Sequence, residues 1–110
     1  MTILFEQVLV RCRLERGVLE TWIAREWVLP ARENEAWMFS DADVARVEMI
    51  CDLTREMELN EDAIEVVLPL VDQLYGLRAS LRRIADAIGA LPEPVRSQIR
   101  AELRKIPKGR

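Results

Sequence analysis

Histidine is absent from the 110 residues. That removes the commonest general base, the commonest metal ligand and any serine or cysteine triad built on imidazole. Gly17, Gly76, Gly89 and Gly109 stand apart and no G-K-[ST] occurs, so no phosphate-cradling loop is expected. Cys12 and Cys51 lack C-x-x-C spacing and read as small core residues of a reducing compartment; with carboxylates they would make a poor zinc site. No apolar run reaches the ~18 residues of a membrane span. The start, MTILFEQVLVRCR, lacks a basic opening and carries Glu6 inside its apolar stretch, unlike a signal peptide. No cofactor, metal, membrane contact or enzyme activity is expected, and the expected location is cytoplasmic.

What is present is an ordinary globular balance, 50% apolar and 32% charged with 5 prolines, in a length that suits one domain. Ile3, Leu4, Val8 and Leu9 recur at helical spacing over 3–12, as do Val18, Leu19, Trp22 and Ile23 over 15–26, with 13–15 as the turn. Trp27 to Pro30 reads as a short strand, 31–35 as a polar turn and 36–39 as the returning strand, which together make a wing. Ser40 or Asp41 can cap a third helix with Asp43 in its first turn, and Asn60 can cap a fourth with Glu61 and Asp62 behind it.

Three short motifs lie in order along this stretch: W-V-x-P on Trp27, Val28 and Pro30; W-x-F-x-D on Trp37, Phe39 and Asp41; and R-x6-L-x2-E-x2-L-N on Arg46, Leu53, Glu56, Leu59 and Asn60. A Leu/Val-rich helix follows. Over about residues 3 to 84 the series resembles the CbpM-like chaperone-modulator family, which is related to the MerR-type helix-turn-helix regulators. The resemblance implies a degenerate MerR-like winged-helix lobe with a long dimerisation helix. It also implies a binding protein that controls a DnaJ/CbpA-type co-chaperone by occupying its J domain.

Charge is uneven along the chain. Residues 1–40 hold five arginines against six glutamates, a net of -1, too little cation for a lobe that grips phosphate. Residues 41–72 hold two arginines against ten carboxylates, a net of -8, and residues 73–110 hold nine cations against three carboxylates, a net of +6. Within the acidic belt Glu48, Asp52 and Glu56 repeat every four residues, so they line one stripe of the third helix, where like charges repel by a few tenths of a kcal/mol per pair. A basic partner would relieve that repulsion, and the J-domain helix implied by the resemblance is typically basic. The expected partner-binding residues are Asp41, Asp43, Glu48, Asp52, Glu56, Glu58, Glu61, Asp62 and Glu65.

From Val67 the chain offers Leu70, Leu74, Leu77, Leu81, Ile84, Ile88 and Leu91, an unbroken alternation of three and four residues that fills the a and d positions of a coiled coil. Leaving such side chains in water forgoes about 1.5–3 kcal/mol each. Val95, Ile99, Leu103 and Ile106 mark a short amphipathic helix that could fold back, but at 1.5 Å per residue it would span roughly half the seam. The remainder predicts a homodimer through Val67, Leu70, Leu74, Leu77, Leu81, Ile84 and Ile88. Pro69, at a c position off the seam, should bend the helix.

The expected fold is therefore all-α with a small β-wing. In one domain it has a winged-helix lobe over 1–59, a long coiled-coil-type helix over 60–91, and a short C-terminal helix and tail over 92–110. The expected work is stoichiometric binding of a J domain by a homodimer, with specific DNA not expected. The rival is a dimeric MerR-type transcriptional regulator that binds promoter DNA, and a third candidate is a plain coiled-coil adaptor.

Overall fold

The computed structural model describes residues 1–107. In chain order the elements are β1 (Ile3–Leu4), α1 (Phe5–Cys12), α2 (Arg16–Ala24), β2 (Ala31–Glu33), β3 (Ala36–Phe39), α3 (Asp41–Arg55), α4 (Glu61–Gly89) and α5 (Val95–Arg104). The chain is helical with a small wing, as expected. It forms two compact units, the first being Met1–Leu68 and the second beginning at Pro69, inside α4.

Two segments differ from the sequence expectation. Ile3 and Leu4 are not the first turn of α1 but an extended pair, antiparallel to Phe39 and Met38 of β3. The helix starts only at Phe5, where the Leu4 amide is taken by the Gln7 side chain at 2.7 Å. The apolar run Trp27 to Pro30 is not a strand either. Trp27, Val28 and Pro30 are buried outside any sheet, and the strand is the next, polar segment, whose three residues all lie exposed at the sheet edge. β3 sits in the middle of the three-stranded sheet, between β1 and β2.

Left-handed residues make the tight connections. Asn34 (φ 49°) and Glu35 (φ 64°) form the two-residue turn of the wing, matching the right-handed twist of its strands. At the end of α1, Arg13 (φ 55°) lets the Leu14 amide reach the Leu9 carbonyl at 2.9 Å. After α2, Glu26 (φ 62°) does the same for the Trp27 amide and the Trp22 carbonyl, also at 2.9 Å. Both ends are Schellman motifs built without glycine. α3 opens on a reciprocal cap: the Asp43 amide donates to Ser40 Oγ at 3.1 Å, and the Ser40 amide donates to Asp43 Oδ2 at 2.8 Å. Asn60 Oδ1 accepts from the Ala63 amide at 2.9 Å and caps α4.

The core of the first unit draws on α1, α2, β3, α3 and the first two turns of α4, with Trp27 and Val28 of the segment after α2. Val8, Leu19, Val28, Phe39, Val47, Ile50 and Ile64 are fully buried, with Trp22, Trp27, Val44, Cys51 and Leu68 nearly so. The spacing of Val44, Val47, Ile50 and Cys51 places one face of α3 inward, and Leu53 packs at its margin. In the second unit Ile88, Leu91 and Ile99 are half-buried, and Arg96 Nη1 donates to the Gly89 carbonyl at 3.3 Å. Hydrogen bonds from Ser97 and Arg96 hold the Glu93 carboxyl below its ordinary value.

Candidate partner-binding surface

The nine carboxylates expected to meet a partner fall into two groups. Asp43 is occupied in the α3 cap, and Asp41 lies exposed, 3.6 Å from the Met1 ammonium. Glu48 faces Arg11 at 3.4 Å. Glu61 and Glu65 both face Arg25, at 2.8 and 3.4 Å, and Glu65 also accepts the indole N–H of Trp27 at 2.9 Å. Asp52, Glu56, Glu58 and Asp62 are exposed and make no ion pair among the described residues. Helical spacing makes Asp52 and Glu56 neighbours on the outer face of α3.

Six of the seven arginines of this unit, all but Arg13, contact groups of the protein itself. Arg55, at the end of α3, donates to the Cys12 and Arg13 carbonyls at 3.0 and 2.6 Å, supplying cationic donors where the α1 dipole is negative. Arg46 donates from Nε to the Trp27 carbonyl. Arg16 pairs with Glu6 and, at 4.0 Å, with Glu20. Arg25 and Arg32 lie over the Trp27 and Trp37 rings at 5.5 and 4.7 Å. Arg46 and Arg55, the two cations within the belt, both donate to backbone carbonyls, and carboxylates remain in large excess there.

The first and third motifs acquire physical roles here. Trp27 supplies the carbonyl that Arg46 binds, Leu53 and Leu59 pack at the core margin and are joined by the Leu59 amide on the Leu53 carbonyl, and Asn60 caps α4. Most of these residues hold the lobe together.

Along α4 the seam residues Leu70, Leu74, Leu77, Leu81 and Ile84 are each about half exposed or more, from 48% to 59%, while Val67 and Ile88 are half-buried. Leu103 and Ile106 of the C-terminal segment are themselves exposed. Cys12 and Cys51 are buried free thiols, pushed up from the ordinary cysteine value by that burial, Cys12 further by its neighbours Cys51 and Glu48. Among the described residues no helix is long and apolar enough to cross a membrane.

One feature escaped the sequence. A groove of about 480 Å³ is lined by Leu4, Phe5, Glu6, Arg16, Glu20, Glu35, Ala36 and Trp37. Its residues come from the starts of α1 and α2 and from the wing, so no local spacing announces it.

The model of the MerR HTH family regulatory proteins matches residues 3–85. The chain belongs to this family. The match runs from β1 through most of α4. No curated protein matches the chain.

Proposed function

We propose that this MerR-family chain is a chaperone modulator of the CbpM type. Its winged-helix lobe binds the J domain of a DnaJ/CbpA-type co-chaperone and thereby tunes stimulation of an Hsp70-type chaperone. The observation that carries this reading is the internal use of most of the lobe's arginines. A lobe that reads DNA needs Lys and Arg free to displace counterions from phosphate. Here Arg11, Arg16 and Arg25 face carboxylates, Arg46 and Arg55 donate to carbonyls, and the exposed carboxylates Asp52, Glu56, Glu58 and Asp62 make no ion pair among the described residues. Such a surface favours a basic protein partner through complementary charge. The work is binding, with no catalytic step and no cofactor.

The protein acts as a homodimer through Val67, Leu70, Leu74, Leu77, Leu81, Ile84 and Ile88. Support comes from the exposure of five consecutive seam residues, a contiguous apolar stripe of the kind that marks a protein–protein contact.

Calorimetric titration with the J domain of a DnaJ-type co-chaperone from the same genome tests the reading, and a saturable complex is expected. Family membership favours one rival, a dimeric regulator binding DNA. A sequence-specific gel shift below ~100 nM at physiological salt, near the usual specific range, with no J-domain complex would establish that rival instead.

A further inference from the structure

The groove between the starts of α1 and α2 and the wing already holds a guanidinium group, its own. The Arg16 guanidinium lies 5.2 Å from the Phe5 ring centroid and is paired with Glu6 and Glu20. On the wing, Arg32 lies over Trp37 in the same way. The floor is apolar, with Leu4 46% exposed and Phe5 and Trp37 half-buried. Glu6, Glu20 and Glu35 line the groove with Arg16, three carboxylates to one lining cation, and Arg32 stands beside them over Trp37, which leaves carboxylates in excess.

We infer that this groove is the anchoring site for a basic amphipathic segment of the protein partner. One apolar or aromatic side chain of that segment seats between Phe5 and Trp37. Its lysines or arginines meet Glu20 and Glu35, and they take the place of Arg16 against Glu6. This inference rests on the proposed function and gives it a location.

The chemistry selects the occupant. Nucleic acid and anionic lipid surfaces would be repelled by three carboxylates, whereas a guanidinium or ammonium finds both ring faces and carboxylates, the combination that Arg16 uses now. A groove with an apolar floor and charged rim suits an amphipathic helix laid into it, with one or two side chains as anchors. The α3 carboxylates Asp52 and Glu56 lie outside the groove and act at longer range, steering the encounter rather than holding the complex.

Stopped-flow association and calorimetry on the full chain with the J domain decide the matter, alongside circular dichroism on each variant. Trp37→Ala, which removes an anchor, is expected to weaken binding at least about 10-fold, chiefly through faster dissociation. Glu20→Gln with Glu35→Gln, exposed positions that leave the core untouched, should weaken it about 3- to 10-fold and reduce its salt dependence. Arg16→Gln should tighten binding about 2- to 5-fold, because an internal competitor is removed. Such tightening could not come from damage to the fold. Dissociation rates unchanged by all three substitutions, with wild-type binding intact, would overturn the groove and leave the proposed function standing. Absence of any complex with the wild-type chain would overturn both.

Discussion

The indole N–H of Trp27 donates to the Glu65 carboxylate at 2.9 Å, tying the segment after α2 to the second turn of α4. Trp27 is only 4% exposed, and its indole N–H bond to Glu65 is part-buried. Arg25 completes the cluster, 3.4 Å from the same carboxylate oxygen with its guanidinium over the indole. Glu65 therefore has a task inside the lobe that charge counting along the belt does not reveal.

Glu65→Leu should destabilise the lobe by about 1–3 kcal/mol, the usual cost of stranding a buried donor. Glu65→Gln keeps an acceptor and should lose less. Urea denaturation followed by tryptophan fluorescence measures both. Equal stability of Glu65→Leu and wild type would mean that the indole finds another acceptor.

Glu26 offers the opposite test. It occupies a left-handed position at φ 62° that L side chains enter at a cost of about 1 kcal/mol, partly offset in glycine by chain entropy. Glu26→Gly should stabilise the protein by roughly 0.5–1 kcal/mol, and the same change at a regular helical position should destabilise it by a similar amount. Thermal melts of Glu26→Gly and Glu20→Gly, side by side, give the two signs.

These two residues also show how much the sequence disclosed. The start of α3 was legible because Ser40 and Asp43 satisfy each other's amides locally, and the start of α4 because Asn60 does the same for Ala63. The buried face of α3 was legible in the spacing of Val44, Val47 and Ile50. Strand β2 was not, because Ala31-Arg32-Glu33 has both faces in water and no alternation to read; its pairing is imposed by β3 and by the left-handed turn at Asn34 and Glu35. The Trp27 to Pro30 run imitated a strand because its burial comes from the core, not from a sheet. For the surface, the excess of acid was legible but its pairing was not. Arg25 finds Glu65 from 40 residues away along the chain.

The seam on α4 predicts assembly. Leu77 and Leu81 are 58% and 56% exposed in the single chain, so glutamate there would be tolerated in a monomer but would be stranded in a dimer interface. Light scattering should give a dimer mass for the wild type at micromolar concentration. Leu77→Glu and Leu81→Glu should give monomers with helicity retained in the lobe. A monomer mass for the wild type would leave the stripe to another partner.

The last prediction separates steering from holding. Asp52 and Glu56 are exposed, four residues apart on one helix face, and outside the groove. Asp52→Asn with Glu56→Gln removes a like-charge repulsion worth a few tenths of a kcal/mol, so α3 should be as stable as before or slightly more so. If these carboxylates act through their long-range field, the double variant should slow association with the J domain about 2- to 5-fold at low ionic strength. The difference should fade as the Debye length shrinks to ~8 Å at physiological salt. Dissociation should be unchanged, because no contact is lost. Stability and association rate would then move in opposite directions within one protein. Dissociation that accelerates in this variant, while the groove substitutions leave it alone, would put the contact on α3 itself.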